Sequence, residues 1–208
     1  MVFCGAGGHL SSVLSSAKIL NKFEIVGYCD INDKNRSDLT YLGNDECLLD
    51  LKNKGIENAF VSIGSVGDSS IRENVYAKIN SLGFISPSII DKSAIVDTTN
   101  IGKNVFIGKS AVVNANAQIG NMAIINTGSI IEHDTKIGDF VHIAPNSTIC
   151  GGAVVGSFSH IGAGSTIIQN ITIGKNCIIG AGSVVVKDIP DNSVAYGNPC
   201  RVVRKNEK

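Results

Sequence analysis

The chain has 208 residues, with 18 Lys or Arg balancing 18 Asp or Glu, so its formal net charge is zero. This balance excludes a strongly basic face of the kind that binds nucleic acid or an anionic membrane. No apolar run approaches the roughly 20 residues of a membrane-spanning helix, and no signal peptide is recognised, so we expect a cytoplasmic protein. The six cysteines include no CxxC pair, which predicts free thiols in a reducing compartment and no metal.

Residues 1–86 alternate between strand patterns and helix patterns. The apolar start leads into the turn "GAGGH", and "FEIVGYCD" and "NAFVSIG" read as further strands. The stretches "HLSSVLSSAKILNK" and "SSIRENVYAKINSLG" have apolar residues at helical spacing, and "NDKNRSDLTYLG" reads as a loop over a pocket. This alternation predicts a small, Rossmann-like parallel α/β domain.

The glycine turn in this domain is a candidate nucleotide site. It contains Gly5, Gly7 and Gly8, but Leu10 replaces the third glycine of the dinucleotide fingerprint. Asp30 ends the second predicted strand, where an acidic side chain in such folds usually meets a ribose or a base. Taken alone, the turn fits a tight connection as well as a phosphate site.

A six-residue rhythm fills the rest of the chain. From Ile89 to Val185, every sixth residue is Ile or Val over seventeen consecutive positions, which predicts that all of them point inward. An α-helix cannot use this period, whereas a coiled prism of short parallel strands can. Gly and Asn at the corners would supply the positive φ angles of its turns. We assign residues 87–190 to this domain and residues 191–208 to a carboxyl-terminal tail.

Two of the four histidines, His133 and His142, lie nine residues apart inside this rhythm. His133 is two residues past an inward Ile and therefore should point outward, where it reads equally well as a solvated repeat position. Its neighbour Asp134 favours a functional reading, because a carboxylate on one imidazole nitrogen fixes the tautomer and leaves the other nitrogen free as a base. In a prism with three rungs, and so eighteen residues, to a coil, as the resemblance described next implies, His133 should stack against Gly151, and His142 against His160.

The "[LIV]-G-x-x-[small]-x" rungs resemble those of the hexapeptide-repeat acyltransferases. That resemblance implies a left-handed parallel β-helix with three rungs to a coil. Together with "GAGGH", "GYCD", "INTGSIIEHDTKIGDFVHIAP" and "AYGNPCRVV" in that order, nearly the whole chain is similar to the sialic acid and bacillosamine-type sugar acetyltransferases. The resemblance implies acetyl-CoA as co-substrate and an N-acetyltransferase acting on a UDP-linked 4-amino sugar in bacterial glycan synthesis.

The resemblance also implies roles for individual residues. His133 would be the general base, Asp134 would raise its basicity, and the Gly151 N–H would donate to the oxyanion. The resemblance implies that Asn126 and Glu132 contact the acceptor sugar. It implies that the nucleotide is bound by Gly7, Gly8, His9, Asp30 and Gly64. The residues implied to contact acetyl-CoA are His142, Gly162, Ala163, Gly180, Ala181, Pro199, Arg201 and Arg204. Arg201 and Arg204 read equally well as part of a solvated basic tail.

Three alternatives stay open at this stage. The acceptor could be a hydroxyl of sialic acid or another sugar instead of an amine. A zinc enzyme of the carbonic anhydrase type needs three converging imidazoles, and the spacings of nine and eighteen residues do not favour it. The chain could also be a sugar-nucleotide sensor without catalysis.

We also expect a homotrimer. The resemblance implies three prisms with acetyl-CoA between neighbours, so that His133 of one subunit would face the CoA contacts of the next. The predicted outward residues Met122, Phe140 and Phe158 would leave apolar surface exposed on a monomer. No nucleic acid or membrane partner is expected.

Overall fold

The computed structural model describes residues 1–207. The amino-terminal part of that range is a parallel sheet with helices, and most of the remainder is a stack of two-residue strands. No helix formed by these residues is long and apolar enough to cross a membrane.

The amino-terminal sheet contains four parallel strands in the order β3-β2-β1-β4. Its elements are β1 (Val2–Cys4), α1 (Gly8–Leu20), β2 (Gly27–Cys29), β3 (Tyr41–Gly43), α2 (Cys47–Asn53), β4 (Ala59–Val61) and α3 (Ser70–Ser81). The predicted parallel α/β domain is thus confirmed. β3 and α2 were not predicted from the sequence. The residues of β3 were wrongly assigned to the loop "NDKNRSDLTYLG", because a strand of three half-buried residues at a sheet edge is too short to show a periodic pattern.

The stacked strands form the three faces of a prism. Face one contains β5 (Ile89–Ile90), β7 (Phe106–Ile107), β10 (Ile124–Ile125), β13 (His142–Ile143), β16 (His160–Ile161) and β19 (Ile178–Ile179). Face two contains β6 (Ile95–Val96), β8 (Val112–Val113), β11 (Ile130–Ile131), β14 (Thr148–Ile149), β17 (Thr166–Ile167) and β20 (Val184–Val185). Face three contains β9 (Gln118–Ile119), β12 (Lys136–Ile137), β15 (Val154–Val155) and β18 (Thr172–Ile173). A hairpin of β21 (Ser193–Gly197) and β22 (Cys200–Lys205) extends face one, so the predicted tail is largely strand.

Each coil of the prism visits the three faces in turn. Along face one, Ile125 pairs with Ile143 and Ile143 with Ile161, eighteen residues apart. Every sixth residue from Asn104 to Gly182 has a positive φ, which makes the sharp corner that each rung needs. The predicted β-helix with three rungs to a coil is therefore confirmed, and the architecture matches the left-handed form.

The first coil departs from the predicted rhythm. Ile90 pairs with Ile107, seventeen residues on, so this coil is one residue short. The inward position consequently falls on Ile90 and Val96, and the sequence prediction that Ile89 and Ile95 point inward is wrong. Ile89 packs instead against the amino-terminal domain, and Ile95 is 65% exposed.

The amino-terminal domain packs on face one and on the corner between faces three and one. The outward residues Ile89, Phe106 and Ile124 of face one join its core around α1. At the corner, Met122 is buried and Phe140 contacts Tyr76 of α3. The expectation that such corner residues leave apolar surface exposed is therefore wrong for Met122, because the chain's own amino-terminal domain covers it, and Phe140 is half-buried against the same domain.

Phe158, the third residue of that expectation, is half-buried and stacks on Phe140 with ring centroids 5.4 Å apart.

Arg72, a buried cation of α3, forms hydrogen bonds to the same corner of the prism. Arg72 is 1% exposed and donates hydrogen bonds to the carbonyl oxygens of Met122 and Phe140. Burial lowers the pKa of Arg72 to about 10, and the nearby charge of Glu73 opposes this shift only in part.

Candidate active site

His133 and Asp134 occupy the corner between faces two and three, at the outer surface of the prism. The His133 side chain is 62% exposed, as predicted, and its Nδ1 lies 2.8 Å from Asp134 Oδ2. Because an ionised carboxylate only accepts hydrogen bonds, Nδ1 carries the proton and Nε2 keeps its lone pair. The hydrogen bond to Asp134 raises the pKa of His133 above its ordinary value, and the nearby charge of Glu132 adds to the effect.

Gly151 lies one coil away, directly against the His133 ring. A β-carbon placed on Gly151 would lie 2.6 Å from His133 Nε2, so the imidazole fills the space above a bare glycine. The Gly151 carbonyl accepts a hydrogen bond from the Asn170 N–H. Its own N–H has no hydrogen-bond partner within residues 1–207. A free amide donor therefore lies beside the free imidazole nitrogen.

Glu132 and Asn126 do not lie at the same corner of the prism. Glu132 is half-buried beside His133 and accepts a long hydrogen bond of 3.4 Å from the His133 N–H. Asn126 lies at the corner between faces one and two, with Nδ2 3.2 Å from Nε2 of His142. Within one chain the structure thus separates two residues that the sequence reading grouped together.

His142 connects the prism to the amino-terminal domain. Its Nδ1 donates to the Ser65 carbonyl oxygen at 2.9 Å, which leaves Nε2 to accept from Asn126. Burial lowers the pKa of His142 from its ordinary value, so the ring is neutral near pH 7. Both ring nitrogens are engaged, and His142 is therefore not a second base.

His160 stacks next to His142 along face one, as the eighteen-residue spacing predicted. The two rings meet edge to face with centroids 4.9 Å apart. Burial lowers the pKa of His160 to about 4. Its buried Nδ1 has no hydrogen-bond partner in the described part of the chain. No group of three or more His, Cys, Asp or Glu in residues 1–207 is arranged to hold a metal ion.

The carboxyl ends of the parallel strands border a cleft of about 400 Å³. All five residues that the sequence reading assigned to the nucleotide line it: Gly7, Gly8, His9, Asp30 and Gly64. A β-carbon on Gly7 or Gly8 would meet nothing within 4 Å, so these glycines keep open the space at the amino end of α1. Unpaired N–H groups at such a helix end attract phosphate.

Two side chains of this cleft are fixed by contacts within the chain. Asp30 Oδ2 accepts from the Ala6 N–H at 2.8 Å, and Oδ1 lies 3.4 Å from Lys34 Nζ. His9 packs edge to face on Phe106 with centroids 5.2 Å apart. Burial lowers the pKa of His9 to about 3, so it is a neutral polar contact in the cleft and not a cation.

The residues predicted to contact acetyl-CoA lie on the far coils. Gly162, Ala163, Gly180 and Ala181 stack at the corner between faces one and two. Gly162 has a separate packing reason to be glycine, because a β-carbon there would lie 2.5 Å from the Ala181 nitrogen. Pro199, Arg201 and Arg204 belong to the exposed terminal hairpin. The guanidinium groups of both arginines donate to neighbouring backbone carbonyls.

Four residues that contact Asp134 or His142, or line the cleft, were not predicted from the sequence. Asn116 donates from Nδ2 to Asp134 Oδ1 at 3.0 Å. It lies eighteen residues before Asp134, so the coil spacing could have identified it. Ser65, Lys34 and Asp45 were also missed, and no local pattern marks them because tertiary packing alone brings them to His142 and to the cleft.

The base and the cleft lie on opposite sides of one chain. The amino-terminal domain rests on face one, and the corner that carries His133 is the edge of the prism opposite that face. Within a single chain, the body of the prism therefore lies between His133 and the nucleotide cleft.

Comparisons with known proteins cover almost the whole chain. Residues 1–79 match the PglD N-terminal domain, residues 98–133 match the hexapeptide repeat of succinyl-transferase, and residues 116–151 and 152–187 match the bacterial transferase hexapeptide (six repeats). A comparison with curated protein sequences finds no match.

Solved structures extend the similarity over the full length. PerB from Caulobacter crescentus, in complex with CoA and GDP-perosamine, is 33% identical, with a TM-score of 0.91 over 98% of this chain and 96% of that one. The acetyltransferase domain of PglB from Neisseria gonorrhoeae, in complex with acetyl coenzyme A, is 30% identical, with a TM-score of 0.88 over 97% and 98%. WeeI from Acinetobacter baumannii is 24% identical with a TM-score of 0.84, and shares the fold.

Proposed function

This chain belongs to the CoA-dependent, hexapeptide-repeat sugar N-acetyltransferases, and we propose that it acetylates the amino group of a nucleotide-linked amino sugar. The observation that carries the proposal is the free Nε2 of His133, held beside the free N–H of Gly151. The PerB complex, which contains CoA and GDP-perosamine, supports the class of acceptor. Both UDP- and GDP-linked 4-amino sugars belong to the proposed class.

The proposed chemistry begins with proton transfer to His133. As the sugar amine attacks the thioester carbon of acetyl-CoA, Nε2 takes a proton from the amine, and Asp134 stabilises the imidazolium that results. The Gly151 N–H donates to the oxyanion of the tetrahedral intermediate. Collapse of the intermediate breaks the carbon–sulfur bond, and His133 returns the proton to the departing thiolate.

The cleft of the amino-terminal domain is the proposed site of the nucleotide. Its glycine turn places the amino end of α1 and two side-chain-free residues, Gly7 and Gly8, against open space of about 400 Å³. Phosphate would bind at the helix end. The ribose would lie near Asp30, whose Oδ1 faces Lys34. His9 and Gly64 complete the wall of the cleft.

A homotrimer is part of the proposal, because one chain carries His133 and its own cleft on opposite sides. In a closed ring, His133 of one subunit would meet the nucleotide-bound sugar of its neighbour. The acceptor would then contact Glu132 and Asn126. Acetyl-CoA would extend along the far coils, past His142, Gly162, Ala163, Gly180 and Ala181, to Pro199, Arg201 and Arg204.

Acetyl-CoA consumption across a panel of UDP- and GDP-linked amino sugars and free sialic acid tests the function. We expect turnover with one class of nucleotide-linked amine, and His133→Ala should lower kcat by at least about a hundredfold without raising KM for the sugar nucleotide. The matched control is Lys187→Ala, because Lys187 is exposed and lies at the equivalent corner position three coils further along the prism. Turnover of sialic acid alone, or near-normal kcat in His133→Ala, would contradict the proposal.

Complementation tests the assembly. Light scattering should give about three times the 21.8 kDa of one chain. His133→Ala and Asp30→Ala should each have little activity at limiting substrate, whereas a co-expressed equal mixture should regain about a quarter of the sites, since a working site needs an intact base from one chain and an intact cleft from the next. A monomer mass, or a mixture no more active than its parts, would contradict a site shared between chains.

A further inference from the structure

The two carboxylate oxygens of Asp134 have different partners. Oδ2 accepts from His133 Nδ1 at 2.8 Å, and Oδ1 accepts from Asn116 Nδ2 at 3.0 Å. Asn116 lies exactly one coil before Asp134, at the same corner of the prism. A continuous chain of hydrogen bonds therefore runs from the Asn116 amide through Asp134 to the imidazole.

The backbone of both residues explains this alignment. Asn116 and Asp134 have φ values of 60° and 59°, and the Asp134 N–H donates to the Ala115 carbonyl oxygen at 3.0 Å. Asn and Asp tolerate this left-handed conformation better than most other residues. Consecutive corners thus hold the amide and the carboxylate in register.

The exposure of the carboxylate makes a second contact important. The Asp134 side chain is 58% exposed, so water competes for both of its oxygens. With His133 as its one protein partner, an exposed carboxylate on a two-carbon side chain would populate several rotamers. Asn116 contributes a fixed donor on the oxygen that His133 does not use, and it adds no positive charge that would weaken the effect of Asp134 on the base.

We infer that Asn116 is a positioning residue for acetyl transfer: it orients Asp134 and, through Asp134, the tautomer and direction of the His133 base. The inference rests on the proposed function, because it assigns Asn116 a role only where His133 acts as a base. Asn116 itself makes no hydrogen bond to His133 among the described residues.

If Asn116 only stabilised the fold, its substitution would lower Tm without affecting the chemical step. At another corner, Asn176 has a φ of 53° and donates from Nδ2 to Asn192 Oδ1 at 2.8 Å, with no base attached. Both asparagines donate from Nδ2 to the next coil in the same backbone conformation, and Asn176 also accepts at Oδ1 from Asn206 Nδ2 at 3.0 Å. Asn176→Gly is therefore a control for Asn116→Gly that removes one hydrogen bond more, and glycine retains the positive φ in both variants.

The first experiment compares these two variants by kcat, both KM values and Tm. We expect Asn116→Gly to lower kcat about tenfold with both KM values near those of the wild type, since a misdirected base affects the chemical step. Asn176→Gly should lower Tm by at least as much, because it also loses the contact with Asn206, and should leave kcat unchanged. Equal kcat in the two variants, or a loss of kcat in Asn116→Gly that disappears at lower temperature together with its loss of stability, would overturn the inference.

The second experiment exchanges the two side chains. Asn116→Asp places two carboxylates against each other and should lower kcat further than Asn116→Gly. In the double variant Asn116→Asp with Asp134→Asn, the new amide can donate to the carboxylate at position 116 while its oxygen accepts from His133. The double variant should therefore have a higher kcat than Asn116→Asp. The acid limb of its kcat–pH profile should lie at lower pH than that of the wild type, because the negative charge is further from the imidazole.

These outcomes separate the two proposals. Near-normal turnover in His133→Ala would remove the proposed function and this inference with it. A large loss in His133→Ala, combined with no loss in Asn116→Gly and no recovery in the double variant, would leave the proposed function intact and refute the role of Asn116 alone.

Discussion

The imidazole of His133 occupies the volume that a side chain at residue 151 would need. A β-carbon on Gly151 would lie 2.6 Å from Nε2 and 2.7 Å from Cε1 of that ring. The absence of a side chain at Gly151 is thus what allows the Nε2 end of the base to lie against the next coil, beside the unpaired backbone N–H of Gly151. The two residues belong to one site because the coil repeat stacks them.

Gly151→Ala should consequently displace the base while keeping the backbone N–H. We expect kcat to fall by about a hundredfold, since a shift of about 1 Å in a catalytic group has an effect of that order. In a His133→Ala background the same substitution should cost nothing further, because the ring it displaces is gone. Steady-state kinetics of the four proteins measures this coupling. An equal loss in both backgrounds would show that the effect does not pass through the imidazole.

The pH dependence of kcat should report the hydrogen bond between His133 and Asp134. A base acts unprotonated, and Asp134 raises the pKa of His133, so activity should rise with pH through a value above the ordinary one for histidine. Asp134→Asn keeps an acceptor for Nδ1 but removes the charge. The acid limb of the kcat–pH profile of this variant should therefore move to lower pH. The plateau value of kcat should fall because the base is weaker.

The measurement for this prediction is a kcat profile at saturating concentrations of both substrates. Asn tolerates the positive φ at position 134, and Asn116 can turn its amide oxygen toward the new amide nitrogen, so the variant removes the charge while both contacts can persist. An acid limb that stayed in place, or moved to higher pH, would mean that a group other than His133 controls the profile.

The terminal hairpin should affect acetyl-CoA and not the sugar. Arg201 and Arg204 are exposed cations on β22, which pairs with β21 at the carboxyl-terminal end of face one. If they attract the phosphates of CoA, the double substitution to Glu should raise KM for acetyl-CoA several-fold, with an effect that weakens as salt increases. Lys175→Glu is the control, an exposed charge reversal on another part of the prism. Equal changes in the two KM values would contradict the assignment.

Arg72 should be needed for the fit between the two parts of the chain. Its guanidinium donates to the carbonyl oxygens of Met122 and Phe140, so Arg72→Met leaves both without that donor. We expect the free energy of unfolding to fall by about 1–3 kcal/mol. KM for the sugar nucleotide should also rise, because the neighbouring Ile71 lines the cleft.

Urea denaturation and nucleotide binding measure this prediction. Arg36→Met is the control, because Arg36 forms a partly exposed ion pair with Asp38 and its removal should change stability by less, by up to about 1 kcal/mol. Equal stability losses in the two variants would show that the buried contact at Arg72 has no special weight.

The six-residue period determined much of the fold and part of the site directly from sequence. A regular prism repeats by a constant translation, so with the three rungs to a coil that the family resemblance implied, residues eighteen apart stack throughout the regular coils. That rule correctly placed His133 against Gly151 and His142 against His160. The pairing of His133 with Asp134 followed in the same way, since it needs only two neighbouring side chains at one corner.

Tertiary structure alone decided what covers the prism and where its repeat fails. The same corner chemistry leaves Asp134 in solvent but buries Met122, because the amino-terminal domain packs on one corner and not on the other. The one-residue slip that turns Ile95 outward is invisible in an unbroken run of aliphatic residues. The contact of His142 with Ser65 joins residues 77 apart, and no local spacing encodes a contact that depends on how two folded units fit together.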